Sequence, residues 1–251
     1  MISCKDVCVG YGGKTVISGV SFTAKQSQIT VIVGKNGSGK TTLLRALAGL
    51  IEFRGDIRID GQATDSLGVK ERALKISLMP QALSSANITV RELISCARQP
   101  YAGFFGILSH KDREIIDSVI EKTGIRQIAD KSLDRISGGE RQKAYFAMLL
   151  AQDTPNILLD EPVSHLDVQY RGSLSEFLTG LKKNGKTVLA VLHDINLALS
   201  LADSLIAFDG GKQIFSGTPK EFDKSDVAKE LFGLKKYSCL TESGEEKFFY
   251  F

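Results

Sequence analysis

The segment Gly34-Lys35-Asn36-Gly37-Ser38-Gly39-Lys40-Thr41, with Thr42 directly after it, decides the fold of this chain. It has the spacing of a phosphate-binding loop and lies between an apolar, β-branched run at 28–33 and a helical pattern at 41–50. Its glycines let backbone N–H groups surround phosphate oxygens, and the helix N-terminus adds partial positive charge. Lys40 supplies a full positive charge, and the Thr41 hydroxyl is a hard ligand suited to Mg²⁺. The sequence therefore predicts nucleotide binding.

A second segment places two carboxylates at the end of an apolar run. Asn156-Ile157-Leu158-Leu159 is followed by Asp160, Glu161 and Pro162. Ligands of α/β sheets gather at the carboxyl ends of the strands, so Asp160 is expected to hold Mg²⁺, directly or through water. Glu161 is expected to orient or deprotonate the attacking water. A turn that merely ends a strand is the alternative, and the phosphate-binding loop favours the functional interpretation.

The third segment, Ile136-Ser137-Gly138-Gly139-Glu140-Arg141-Gln142, opens a strong helical pattern that runs to Gln152. A small hydroxyl, glycines and a helix N-terminus together form an anion site. An ordinary serine N-cap with flanking glycines is the alternative. Two helix N-termini of the phosphate-binding type in one chain favour the anion site. Residues 136–142 are called the signature segment below.

Composition narrows the class of protein. The 251 residues are 43% hydrophobic, enough for a sizeable core, and the net charge of +3 comes from interspersed acidic and basic residues. We therefore predict no nucleic-acid partner. No uninterrupted apolar run reaches about 18 residues, and the first residues lack a signal-peptide layout, so a cytoplasmic location is expected. The four cysteines lack zinc-ligand spacing and are expected to be buried and reduced.

The periodicity along the chain predicts an α/β fold. Strand patterns occur at 2–9, 14–23, 28–33, 55–60, 156–160, 187–192 and 204–208, and helical patterns lie between the last three. That alternation indicates a mostly parallel sheet. The stretch 82–150 contains helical patterns at 89–98 and 111–123 and almost no strand pattern. The tail at 237–251 resembles a hairpin that turns at 242–244.

The phosphate-binding loop, the signature segment and the acidic strand end resemble the ATP-binding-cassette (ABC) family in order and spacing. The resemblance implies a P-loop NTPase core with a mixed, mostly parallel sheet, an N-terminal antiparallel β subdomain and a helical insertion. It covers residues 1–235, with the core at 1–81 and 151–235 and the helical subdomain at about 82–150. Residues 236–251 then form a hairpin-like tail.

The same resemblance assigns further residues. Tyr11 lies where the family stacks an aromatic ring on adenine, although an ordinary strand tyrosine is the alternative. Gln81 matches the glutamine that reaches Mg²⁺ and the attacking water. His193 matches the switch histidine, although a histidine at a strand end is often structural. Ser164 and Asp167 match a loop that lines the dimer interface. The implied catalytic residues are Glu161, His193 and Gln81; the implied metal ligands are Thr41, Gln81 and Asp160; and the implied nucleotide-binding residues are Tyr11 and residues 34–42.

In that family two cassettes stack head to tail, so that ATP lies between them. The resemblance implies an ATP-dependent homodimer in which Ser137, Gly138, Gly139 and Glu140 face the γ-phosphate held by the other copy. The chain departs from the usual pattern at Glu140, where Gln is common, and at Ile136, Val163 and His165. An acidic residue close to phosphates weakens binding unless the helix aims it away.

Softer matches at 89–93, 98–101, 105–106, 112–114 and 151–155 resemble the importers of iron–siderophore, haem and cobalamin. This resemblance implies that ATP hydrolysis drives uptake of a metal chelate. It also implies that the chain lies at the cytoplasmic face of the cell membrane. The helical subdomain is expected to contact permease subunits, and these are expected to meet a periplasmic or extracellular substrate-binding protein. An ATPase of another importer class, a non-transport ABC ATPase acting in DNA repair or on ribosomes, and a module that does not hydrolyse ATP are the alternatives.

Overall fold

A computed structural model describes residues 1–83, 86–103, 105–162, 168–240 and 246–251 of the chain. The predicted interface residues Ser164 and Asp167, and the predicted tail turn at 242–244, lie outside these ranges. In chain order the strands are β1 (Ile2–Tyr11), β2 (Lys14–Ala24), β3 (Ile29–Gly34), β4 (Arg54–Ile59), β5 (Gln62–Ala63), β6 (Ile76–Met79), β7 (Asn156–Asp160), β8 (Thr187–Val191), β9 (Ser204–Asp209), β10 (Lys212–Gly217), β11 (Lys236–Leu240) and β12 (Glu246–Tyr250). The α-helices are α1 (Lys40–Leu47), α2 (Val69–Lys75), α3 (Val90–Cys96), α4 (His110–Lys122), α5 (Gly138–Gln152), α6 (Val168–Lys183), α7 (Ile195–Leu201), α8 (Pro219–Lys224) and α9 (Val227–Phe232).

The main sheet has six strands in the order β10-β9-β3-β8-β7-β6. Neighbouring strands pair in parallel except β10, which is antiparallel to β9. Because β3 and β7 both flank β8 and all three run the same way, the ends of β3 and β7 lie at one edge of the sheet. The α/β class and the mostly parallel sheet predicted from the sequence are confirmed.

A separate antiparallel sheet, in the order β2-β1-β4-β5, is built from the N-terminal part of the chain. Gly12 and Gly13 turn β1 into β2, and both have positive φ angles of 54° and 83°, which glycine adopts without steric cost. The predicted N-terminal antiparallel sheet is thus confirmed.

Two hydrophobic clusters lie on opposite faces of the main sheet. Alternate residues of β3 divide between them, since Val31 and Val33 join one cluster and Ile32 joins the other. The cluster around Ile32 lies between the main sheet, α1 and the antiparallel sheet. The cluster around Val31 includes α3, α4 and α5, so the helical insertion shares its core with the sheet. The main sheet therefore forms the middle layer between these two sets of elements, and β3 and β7 end at one edge of it.

Several strands and α-helices were not predicted from the sequence, namely β5, β6, β10, α2, α8 and α9. The expectation of buried cysteines is right for Cys4 and wrong for Cys96, which is exposed. Burial raises the pKa of the Cys4 thiol to about 12, so this thiol stays protonated at neutral pH. Within the described residues, no helix is both long and apolar enough to cross a membrane.

The C-terminal hairpin packs on the core through β12. Tyr250 is 5% exposed, and its hydroxyl donates to Asp223 at 2.8 Å. Asn196 of α7 donates to the Tyr250 carbonyl at 3.0 Å and accepts from the Tyr250 N–H at 2.9 Å. On the other face of the hairpin, Tyr237 and Phe251 are exposed.

A buried ion pair ties the helical insertion together. Arg98 and Asp112 are each 5% exposed, and both Nε and Nη2 of Arg98 donate to Oδ1 of Asp112, at 3.0 and 2.8 Å. Arg98 also donates to the Ala151 carbonyl at the end of α5 and lies over the Tyr101 ring, 3.6 Å from its centroid. The Ser109 hydroxyl and the Arg98 guanidinium hold the pKa of Asp112 below its usual value. The network therefore fixes α4 and the 99–101 turn against the end of α5.

We expect Arg98→Ala to lower the free energy of unfolding by about 3 to 5 kcal/mol, because it leaves the Asp112 carboxylate buried without its partner. Arg91→Ala is the control: Arg91 also pairs with a carboxylate, Asp117 at 2.6 Å, but on the surface. That change should cost less than about 1 kcal/mol. Denaturant unfolding of both variants checks the difference, and equal losses would contradict it.

Candidate nucleotide-binding and active site

The phosphate-binding loop joins β3 to α1 and wraps around its own lysine. Lys40 is 4% exposed, and its ammonium donates to the carbonyls of Gly34 and Lys35 at 2.8 and 2.9 Å. A Cβ at Gly34 would lie 2.4 Å from the Phe208 carbonyl oxygen, so the loop can pass this strand only as glycine. Burial lowers the pKa of Lys40, while the carboxylates of Glu161 and Asp160 oppose that shift. A buried cation is thus held beside two carboxylates.

Thr41 and Asp160 bring α1 and β7 together at the sheet edge. The Thr41 hydroxyl donates to Oδ1 of Asp160 at 3.2 Å, and the carboxylate is 3% exposed. Burial raises the pKa of Asp160, and the Thr41 hydrogen bond partly offsets the rise. Two hard oxygen atoms therefore lie side by side next to Lys40.

Glu161 sits between two hydrogen-bond donors. Gln81 donates from Nε2 to Oε2 of Glu161 at 2.5 Å, and Nε2 of His193 lies 2.5 Å from Oε1. The structure thus brings together the three residues that the sequence predicts as catalytic, from β7 and from the ends of β6 and β8. Because the Glu161 carboxylate is held at both oxygens, its orientation is well defined.

The backbone at Glu161 is strained. Its φ angle is +49°, in the left-handed region that costs a non-glycine residue about 1 to 3 kcal/mol. Its N–H donates to the Val191 carbonyl at 3.2 Å. Such a conformation persists only where neighbouring contacts over-determine it, and it turns the chain sharply at the end of β7.

A cavity of about 360 Å³ opens where these elements meet. Its lining includes Asn36, Gly37, Lys40, Thr41, Gln81 and Glu161. It therefore presents the helix N-terminus and the lysine from one side and the carboxylate from the other, which suits a phosphate chain and an attacking water.

The donors present fit Mg²⁺ held together with phosphates. Mg²⁺ prefers a few protein oxygens and completes its octahedron with phosphate and water, and Thr41 and Asp160 supply two adjacent oxygens. Ser38 Oγ in the same loop is buried without a hydrogen-bond partner. Within the described residues there is no cluster of three or more His, Cys, Asp or Glu side chains suited to an all-protein metal site.

Tyr11 lies at the end of β1 with its side chain 47% exposed. It is not among the described residues that line the 360 Å³ cavity. Stacking of adenine on Tyr11 remains a prediction from the resemblance.

The signature segment caps α5. The Ser137 hydroxyl accepts from the Glu140 N–H at 3.2 Å, and the Glu140 carboxylate accepts from the Ser137 N–H at 2.9 Å. This reciprocal arrangement is a capping box. The Ser137 N–H, and after it the Ser137 side chain, hold the pKa of Glu140 below its usual value.

Gln142 is a site residue that sequence reasoning missed. It is 2% exposed, and its Nε2 donates to the carbonyl oxygen of Pro162, directly after Glu161. Gln142 is the last residue of the signature segment, and nothing in the local sequence pattern indicates that it contacts the acidic strand end.

A family profile described as "ABC transporter" matches residues 17–164, more than half of the chain. The chain belongs to the ABC transporter family. Ferric enterobactin transport ATP-binding protein FepC of Escherichia coli (strain K12) is 38% identical over 92% of this chain and 86% of that protein. Petrobactin import ATP-binding protein YclP of Bacillus subtilis (strain 168) is 36% identical over 93% of each chain. The chain is accordingly an ABC ATPase.

A solved structure agrees with this family assignment. The ATP-binding cassette MJ0796, in a dimeric post-hydrolysis state bound to ADP and Pi, superposes with a TM-score of 0.77. That match has 26% identity and covers 87% of this chain and 99% of the other. The fold expected of an ABC ATPase domain is therefore confirmed.

We expect Glu140→Gln to change ATP turnover by less than about twofold, because the glutamine carbonyl can accept the same Ser137 N–H bond within the capping box. Glu140→Ala removes this acceptor and should lower the melting temperature. Steady-state ATPase assays and thermal melts check both variants. A large rise in ATP affinity for Glu140→Gln would show instead that the Glu140 charge opposes bound phosphate.

Proposed function

We propose that this ABC ATPase powers uptake of an iron–siderophore chelate through a separate membrane permease. The similarity to proteins named for ferric enterobactin transport and petrobactin import supports the substrate class. The observation that carries the enzymatic part is the cavity in which Lys40, Thr41, Gln81 and Glu161 converge. Haem and cobalamin are the other metal chelates that the resemblance allows.

The proposed mechanism gives each group at this edge of the sheet a separate role. Residues 34–42 bind the phosphates of ATP, with the Lys40 ammonium directed at the outer phosphates, and Tyr11 contacts adenine. Glu161 accepts a proton from the attacking water or orients it, since its carboxylate borders the cavity. Gln81 and His193 hold the two oxygens of that carboxylate and fix its direction.

Thr41, Asp160 and Gln81 are the residues that would hold Mg²⁺. When bound, Mg²⁺ neutralises charge on the β- and γ-phosphates. Burial raises the pKa of Asp160, and a divalent ion beside this carboxyl group would favour its ionised form.

The signature segment is proposed to act on the ATP held by a second copy. Ser137 and Gly138 are exposed at the N-terminus of α5, and they are not among the described residues that line the cavity of their own chain. A dimer with ATP between the two copies would join the two anion sites, and Ser164 and Asp167 would line its interface. Hydrolysis then removes the γ-phosphate that joins them.

The helical insertion is proposed to contact the permease at the cytoplasmic face of the membrane. Three of the five softly matched segments, 98–101, 112–114 and 151–155, meet in one network, which joins Arg98, Tyr101, Asp112 and Ala151. A fixed arrangement of α3, α4 and α5 allows motion of the cassette to reach the permease. The substrate-binding protein would act on the far side of the membrane.

We expect Glu161→Gln to bind ATP, to accumulate as an ATP-bound dimer and to lose about 10²- to 10³-fold in turnover. Glu121→Gln, the same change on the exposed surface of α4, is the control. Single-turnover ATPase assays and size-exclusion chromatography with ATP distinguish the two. Full turnover of Glu161→Gln would show that another group handles the attacking water.

We expect cells that lack this chain to regain uptake of a labelled iron–siderophore when the wild-type chain is supplied, and not when Lys40→Ala is supplied. Lys40→Ala loses the charge directed at the phosphates, whereas Lys122→Ala, at the exposed end of α4, should restore uptake. Labelled haem and cobalamin are measured in parallel, and the co-purifying membrane subunit is identified. Rescue of haem or cobalamin uptake alone would reassign the substrate.

A further inference from the structure

Gln142 joins the signature helix to the acidic strand end of the same chain. It lies in α5, whose N-terminus is formed by Ser137 and the signature glycines. Its amide Nε2 donates to the carbonyl of Pro162. Pro162 has no N–H, so this carbonyl is the one backbone group through which the residue after Glu161 can be held by hydrogen bonding.

The elements that this contact joins have further contacts on both sides. Phe146 follows Gln142 by one helical turn on the same face of α5 and stacks on Phe177 of α6, with ring centroids 4.1 Å apart. On the other side of the acidic turn, the Glu161 N–H is held by the Val191 carbonyl. The strained residue Glu161 is therefore held from β8 before the turn and from α5 after it.

The chemistry of Gln142 indicates why an amide stands here. Its Oε1 is buried and has no hydrogen-bond partner among the described residues. Packing alone would be served better by an apolar side chain of similar volume, which would leave no unpaired acceptor. The amide is therefore explained by the one bond that it makes, the donation to Pro162.

We propose that Gln142 is a positioning residue, which couples the position of the signature helix α5 to the position of the Glu161 carboxylate. This inference rests on the proposed role of Glu161. When phosphate of the partner copy engages Ser137 and the signature glycines, α5 shifts as a unit, and Gln142 transmits that shift to Pro162. The carboxylate then reaches its working position only in the cassette whose signature helix is engaged.

The test replaces the Gln142 amide by a side chain of similar volume. Gln142→Met removes the donor and should lower kcat for ATP on the order of 10- to 100-fold with KM changed less than about twofold. Gln152→Met is the matched control, because Gln152 lies on the same helix and donates to a backbone carbonyl, that of Ala73, at 2.9 Å, away from the acidic turn. It should keep kcat within about twofold. Melting temperatures are measured for every variant of the full chain.

Gln142→Glu gives a second readout that a purely structural role would not produce. A glutamic acid can donate to the Pro162 carbonyl only while it is protonated, so kcat should fall as pH rises through the titration of the new carboxyl group. Gln152→Glu should follow the wild-type pH profile. If Gln142→Met does not fold, this profile decides the question.

A double variant separates this proposal from that for Glu161. In the Glu161→Gln background, Gln142→Met should lower the residual turnover less than about twofold, because no carboxylate remains to be positioned. Loss of turnover in Glu161→Gln together with full activity of Gln142→Met overturns the coupling alone. Full turnover of Glu161→Gln overturns both. Equal losses in the Gln142 and Gln152 variants, in proportion to their melting temperatures, reduce Gln142 to a structural residue.

Discussion

The proposed active site depends on the parallel pairing of β8 with both β3 and β7. Parallel strands end at the same edge of a sheet, so this pairing brings the phosphate-binding loop and the acidic turn within hydrogen-bond distance, and the Thr41–Asp160 contact at 3.2 Å is the direct result. Gln81, after β6, and His193, after β8, lie at the same edge and contact Glu161 there. The phosphate-binding loop and the acidic turn lie far apart in the chain, so a different strand order would separate them in space.

Burial at this edge creates opposed charges that stabilise one another. Lys40 loses solvent and its pKa falls, while Asp160 loses solvent and its pKa rises, and each opposes the shift of the other. The Lys40 ammonium donates to two loop carbonyls. Such a site is prepared for a ligand that carries both negative charge and a divalent cation, because that ligand pairs with both buried groups at once.

The sequence predicts well which residues meet at this edge and predicts poorly the contacts that connect its elements. The residues Lys40, Thr41, Asp160 and Glu161 belong to short segments whose residue types and spacing suggest a phosphate and Mg²⁺ site without any structure. By contrast, β6 has only four residues and no strict alternation, so its place at the sheet edge follows from pairing with β7. The contact between Gln142 and Pro162 is equally absent from local pattern, since it depends on how α5 returns to the sheet.

Tertiary packing accounts for the aromatic residues of the C-terminal tail, which the sequence pattern alone does not explain. The run Phe248-Phe249-Tyr250-Phe251 alternates between a face on the core and an exposed face, as a strand requires. Tyr250 exchanges two backbone hydrogen bonds with the Asn196 side chain, near the start of α7. Because α7 begins shortly after His193 and is capped by Asp194, the tail strengthens the helix that follows the histidine. The hairpin thereby supports, from outside the core, the segment that brings His193 to Glu161.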